Sequence, residues 1–141
     1  MSRAGGRGAK TTTTTVPPTR ESARRATCHD VCHLGHAQKC REAPRNLLAQ
    51  VPGLDLVELP ESEICCGAAG TYNLTEPEMS AQLSRRKWGH IEDTRADLVL
   101  TANAGCLLQI AGEARRQGRH AWIAHPMDLL DLSYRGEQPP G

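Results

Sequence analysis

From residue 26 onward, short apolar runs, loops bearing Gly or Pro, and stretches with apolar residues three or four apart follow one another in turn. The β-like runs are a weak one at 25–28, then 54–59, 97–101 and 121–124. The third is apolar through Leu98-Val99-Leu100, the mark of a strand buried on both faces, as in a parallel sheet. Between the runs lie helical stretches. One covers 41–50, with Leu47, Leu48 and Val51 apolar and Pro52-Gly53 as its stop. A second opens at Thr75-Glu76-Pro77-Glu78, which reads as a capping box with Pro in the first turn, and runs on through Met79, Leu83 and Ile91. A third spans 106–116, with Leu107, Ile110, Ala111 and Ala114 on one face and Gly118 ending it. The last covers 126–134, opened by Pro126 and carrying Met127, Leu129, Leu130 and Leu132. Strands alternating with helices predict βαβ units: an α/β fold, a small three-layer domain with a mainly parallel sheet of about four strands.

Residues 1–25 lack either period and hold five consecutive Thr, Val16-Pro17-Pro18 and a basic run, which predicts a disordered N-terminal tail. The domain is expected over 26–135, with 136–141 a flexible C-terminus. A length of 141 residues suits one such domain. Aromatics are 3% of the chain with no Phe, so the core is expected from Leu, Ile, Val, Ala and Met, and an aromatic platform for single-stranded nucleic acid is excluded. Charge is unevenly spread: residues 1–26 carry +5 and the remainder −4, so the folded part has no nucleic-acid signature. No window reaches the roughly 18–20 consecutive apolar residues of a membrane helix. The basic N-terminus lacks the apolar centre of a secretory signal, so a cytoplasmic location is expected.

The six cysteines change the picture from architecture to chemistry. Without an export signal they point to metal ligation or redox chemistry before a disulfide framework. Reactive groups in open parallel sheets collect beyond the C-terminal ends of strands. Cys32 follows the first run, Cys65-Cys66-Gly67 the second, and Asn103-Ala104-Gly105-Cys106 the third, so distant cysteines are expected to converge. Cys106 would open a helix, where unpaired N–H groups favour the thiolate. Gly67 and Gly70 let backbone approach a bulky inorganic cluster, and adjacent cysteines are poorly placed to form a disulfide with each other.

His29-Asp30-Val31-Cys32-His33, the Leu59-Pro60-Glu61-Ser62 lead into Cys65-Cys66-Gly67-Ala68-Ala69-Gly70-Thr71-Tyr72-Asn73, and Thr101-Ala102-Asn103-Ala104-Gly105-Cys106 together resemble the cysteine-rich CCG domain family. That family includes heterodisulfide reductase B subunits, lactate-utilisation proteins and, most similar on these motifs, the C-terminal part of glycolate oxidase iron–sulfur subunits. The family pattern is one Cys, then Cys-Cys, then CxxC; here 32 residues separate Cys32 from Cys65 and 36 separate Cys66 from Asn103, which stands where the first Cys of the last pair falls. Val31 stands in place of a usual Pro. The resemblance implies Cys32, Cys65, Cys66 and Cys106 as ligands of an iron–sulfur cluster of 4Fe-4S type. His29, His33, Asn103, His125 and Gly67 would be supporting residues around it. It further implies an electron-transfer domain without a substrate acid/base pair of its own. Flavoprotein subunits of a 2-hydroxy acid (glycolate) oxidase and a ferredoxin-like domain would be its partners, and through them it would sit peripherally at the inner face of a membrane. The ferredoxin-like CxxCxxCxxxCP runs of those subunits do not occur in these residues, which suggests a truncated subunit or a stand-alone domain.

Other readings stand beside this one. Four thiolates suit Zn²⁺ as well, giving a zinc-stabilised docking domain. Cys65 and Cys66 could also serve thiol–disulfide exchange of the heterodisulfide reductase type. Cys28, Cys32, His36 and Cys40 recur at a spacing of four, but Gly35 and the loop context argue against a helical zinc ladder, leaving Cys28 and Cys40 as bystanders. His29, His33 and His125 read equally as loop or helix-start histidines, and Asp30 as a turn former or histidine orienter. Arg85-Arg86-Lys87 and Arg115-Arg116 read as solvated helix faces.

Overall fold

The computed structural model describes residues 24–30, 42–68 and 71–140. The strands β1 (Arg24–His29), β2 (Leu54–Val57), β3 (Leu98–Thr101) and β4 (Trp122–Ala124) form one sheet in the order β2-β1-β3-β4, and every neighbouring pair is parallel. Helices α1 (Glu42–Ala49), α2 (Tyr72–Thr75), α3 (Pro77–Thr94) and α4 (Ala104–Arg116) lie in the connections, and α5 (Pro126–Arg135) follows β4. The α/β class and the parallel sheet are as the alternation of runs predicts. Of the expected tail, residues 1–23 lie outside the described residues, while Arg24 and Arg25 open β1. At the other end of the chain, the Arg24 guanidinium donates to the Pro140 carbonyl at 3.1 Å.

Side chains alternate across the sheet, and each face is covered by two helices. Ala26 and Cys28 of β1 join Leu98 and Leu100 of β3 against Leu48 of α1 and Leu129 of α5. Val99 points the other way and packs with Trp88 and Ile91 of α3, Ile110 and Ala114 of α4, and Leu59. Each buried Leu or Ile contributes about 1.5–3 kcal/mol, so these two clusters hold the three layers together. β3 is buried along its whole length, as its apolar run requires. Trp88 corrects the expected core composition: it is buried, whereas Met79 and Met127 are exposed.

Two local expectations also change. Thr75 does not open α3; it ends the short α2, and its hydroxyl donates back to the Thr71 carbonyl at 3.4 Å. Pro77 forces the residue before it out of helical geometry, so Glu76 sits at φ −131 and α3 starts afresh with Pro in its first turn and no side-chain cap. The buried stripe of α3 keeps Ile91 but takes Ser80 and Ser84 in place of Met79 and Leu83. Ser80, Ser84, Lys87, Trp88, Ile91 and Thr94 face inward.

The strand order has a functional consequence. β1 is the switch point: its chain leaves toward β2 on one side, while β3 enters on the other. In open parallel sheets the crevice beyond the carboxyl ends of such strands is the usual binding position. His29 ends β1 directly in register with Thr101, which ends β3.

Candidate metal centre

Three side chains meet at that crevice. His29 comes from the end of β1, Cys66 from the loop after β2, and Cys106 from the first turn of α4, just after β3. Their ligand atoms all lie within 4.8 Å of one another, and all three residues are buried. His29 is 1% exposed, and among the described residues neither ring nitrogen has a hydrogen-bond partner. A buried polar atom left unpaired is costly, so an imidazole with two unpaired nitrogens beside two thiols has the chemistry of a waiting ligand.

Electrostatics favour the ligating form. The Cys106 side chain hydrogen-bonds to Cys66 and, against the opposing effect of burial, brings the Cys66 pKa down to about 4, with the nearby His29 ring and the Ala68 backbone N–H adding to it. The direction of that shift favours the ligating thiolate form of Cys66. Cys28, on the opposite face of β1, shows the contrasting case. Burial among apolar side chains, with Asp30 adding, pushes its thiol up to about 11, and it takes no part in the site.

The backbone around the thiols is held at several points. Asn103 is the N-cap of α4, and its side-chain oxygen accepts the Cys106 N–H at 3.1 Å. The position where the family pattern has a further Cys thus works here as a helix cap that orients Cys106. Gly67 sits at φ +92, and a Cβ there would lie 2.5 Å from the Ser80 carbonyl oxygen. The Ser80 hydroxyl donates to the Gly67 carbonyl at 2.8 Å, and Gln109 of α4 donates to that hydroxyl at 3.1 Å. The Cys-Cys-Gly loop is in this way clipped to both helices of its layer.

A second clamp lies upstream in the same loop. Glu61 adopts φ 53, its carboxylate receives two hydrogen bonds from Arg86, at 2.8 and 2.5 Å, and pairs with His90 at 2.9 Å. The Arg86 guanidinium, then His90, hold that carboxyl below the ordinary glutamate range. Lys87 donates to the Glu61 carbonyl at 2.5 Å and is 2% exposed, which corrects the reading of 85–87 as a solvated face at Lys87, while Arg85 and Arg86 are exposed as expected. Residue 87 falls seven after Ser80 and four before Ile91, on the inward stripe, and that spacing was a signal available in the chain itself. Asp30 ties the end of β1 to this loop by accepting from the Ser62 hydroxyl at 2.7 Å and from Arg45 at 2.9 Å.

The other expected site residues are distributed as follows. Cys65 is half-buried and outside the group of three; its sulfur accepts the Gly67 N–H at 3.3 Å. His125 caps α5, its Nδ1 accepting the Met127 N–H at 3.0 Å in a capping box with Asp128. Cys32 and His33, with Cys40 and His36, lie outside the described residues. Among the described residues, no helix is long and apolar enough to cross a membrane.

An imidazole and two cysteine sulfurs beside a glycine-cradled backbone fit a metal ion or a metal–sulfur cluster. Comparison with known proteins agrees with such a site. The CCG family model, described as Cysteine-rich domain, matches residues 26–111. The chain is 36% identical over 112 residues to Lactate utilization protein A of Oceanobacillus iheyensis, covering 79% of this chain and 46% of that protein. It is 41% identical over 108 residues to the protein of that name from Shouchella clausii, covering 77% and 45%. With the Geobacillus kaustophilus protein of that name it shares 39% over 107 residues, covering 76% and 45%. The chain therefore spans less than half the length of these relatives. Its matched region includes β1 through most of α4 and all three converging side chains, and the chain belongs to the cysteine-rich CCG domain family.

Proposed function

We propose that this chain is an iron–sulfur electron-transfer domain working within a 2-hydroxy acid oxidation system. The observation that carries the proposal is the convergence of His29, Cys66 and Cys106 at the sheet's switch point, where the surroundings of Cys66 lower its pKa. The bound cluster would supply one-electron transfer at that position. The chain's own residues hold and shield it. Cys66 and Cys106 provide thiolates, and His29 provides either a third ligand or a donor to sulfur. Asn103 and Gly67 fix the backbone from which the two cysteines project.

Cys32 and Cys65 complete the proposed ligand set for a 4Fe-4S cluster. Cys65 lies next to Cys66 on a loop anchored at Glu61 and Gly67, which keeps it beside the group. The name of the relatives supports lactate over glycolate as the 2-hydroxy acid. In this scheme a flavoprotein partner oxidises the acid and a ferredoxin-like partner relays electrons onward, with the complex at the cytoplasmic face of a membrane. Metal and acid-labile sulfide analysis of anaerobically purified protein, with optical and paramagnetic resonance spectra, tests the proposal. Iron with sulfide, lost on Cys106→Ser, is the expected result. Zinc without iron or sulfide would replace electron transfer with a zinc-stabilised docking role.

A further inference from the structure

Thr101 is the final residue of β3, fully buried, and its hydroxyl has no hydrogen-bond partner among the described residues. Other buried threonines of this fold satisfy theirs locally. Thr27 donates to the Val57 carbonyl at 3.0 Å and Thr94 to the Ile91 carbonyl at 2.6 Å. Thr101 lies directly in register with His29 across β1 and β3, and alternation puts both on the face where Val99 packs with Cys66 and Cys106. Directly opposed residues on a shared face are within side-chain reach. Thr101, a buried polar side chain without a partner among the described residues, therefore lies beside His29 of the three-ligand group. A valine would fill the same volume without the unsatisfied hydroxyl, so packing alone does not call for threonine here.

We propose that the Thr101 hydroxyl donates a hydrogen bond to a sulfur of the bound metal centre, either a ligand thiolate or inorganic sulfide, and so tunes its reduction potential. This inference rests on the metal-centre reading above. A donor to sulfur stabilises the added negative charge of the reduced state and raises the potential. Thr101 is a positioning and tuning residue in this account, since it binds no metal itself.

The test uses the full chain, metal-free and after anaerobic reconstitution with ferrous iron and sulfide, as wild type, Thr101→Val and Thr101→Ser. Metal-free Thr101→Val should unfold at the same or a higher temperature than wild type. Once reconstituted, it should hold as much iron and sulfide as wild type. Its reduced-to-oxidised ratio at a fixed potential should nonetheless fall about tenfold, a downward shift of about 59 mV for a one-electron couple. Thr101→Ser should restore the wild-type potential. An unchanged potential in Thr101→Val overturns the inference, as does a metal-free Thr101→Val that unfolds earlier or fails to fold, because the hydroxyl would then serve the fold itself. Wild type that takes up neither iron nor sulfide overturns the metal-centre reading along with this one.

Discussion

Replacing Gly67 with alanine puts a methyl carbon 2.5 Å from the Ser80 carbonyl oxygen, a contact that requires backbone to move. The neighbour is a helix backbone atom of α3, so the Cys-Cys-Gly loop must yield instead. Positive φ adds about 1–2 kcal/mol of strain for any residue with a Cβ. Displacing the loop breaks the 2.8 Å hydrogen bond from the Ser80 hydroxyl to the Gly67 carbonyl. That bond contributes about 0.5–1.5 kcal/mol. Together the two effects give a destabilisation of about 1.5–3.5 kcal/mol, in the upper part of the usual range for a single substitution. With a urea slope of about 1–3 kcal/mol per molar, the unfolding midpoint should fall by at least about 0.5 M. Gly112→Ala is the control, because α4 leaves open space around that position. Relieving a mid-helix glycine there should stabilise by about 0.8–1 kcal/mol. Metal content should drop in Gly67→Ala and hold in Gly112→Ala, since only the first moves Cys66. Unfolding free energies from urea titration that agree to within about 0.5 kcal/mol for Gly67→Ala and wild type, with equal bound metal, would refute the reasoning.

Three further substitutions and treatments probe other parts of the site. Asn103→Ala removes the cap on Cys106 and should lower stability by about 1 kcal/mol, with Asn103→Ser recovering most of it in thermal melts. Cys28, with its thiol pushed up to about 11 and little exposed surface, should resist iodoacetamide in the native protein and react on unfolding, and peptide mapping that finds it alkylated in the native state would contradict its burial. For Glu113, burial works to raise the pKa, but Gln117 and Arg116, with Ser84 adding, outweigh it and hold the carboxyl below its ordinary value. Its folded pKa being the lower, its contribution is complete above the unfolded value of about 4.3 and is lost as pH falls through the folded one. Glu113→Gln should therefore be less stable than wild type at neutral pH, and the gap should close on acidification; a gap independent of pH would show that the carboxylate's charge is immaterial.

Much of the fold was legible because its signals are local. The wholly apolar Leu98-Val99-Leu100 run, the prolines at 77 and 126 and the breaks at 53 and 118 mark elements within a few residues of their observed positions. The cysteine spacing placed Cys66 and Cys106 at the ends of successive strands, which suffices for convergence in a parallel sheet. What escaped depends on register and rotation. His29, expected beside the centre from its motif, falls within the ligand group because β1 pairs with β3 so that His29 faces Thr101, and nothing local encodes that pairing. Of the adjacent pair, Cys66 is buried in the group while Cys65 is half-buried outside it, a choice made by the twist of the loop after Glu61. Lys87 looked solvated because its neighbours are arginines, yet its place on the buried stripe of α3 turns it inward to the Glu61 carbonyl.

The three converging side chains belong to segments far apart in the chain: a strand end, a loop and a helix start at positions 29, 66 and 106. Any ion or cluster held by all three acts as a cross-link as much as a redox centre. By the chain-entropy model used for disulfides, closing a loop of this length removes about 4 kcal/mol of unfolded-state freedom, and two such closures share the bound group. A domain this small buries a modest core, so a staple of that size would be a large part of its total stability. Stripping the metal with a chelator should accordingly lower the unfolding temperature steeply while leaving the parallel sheet formed at low temperature, and a melt indifferent to chelation would mean that the fold stands without its staple.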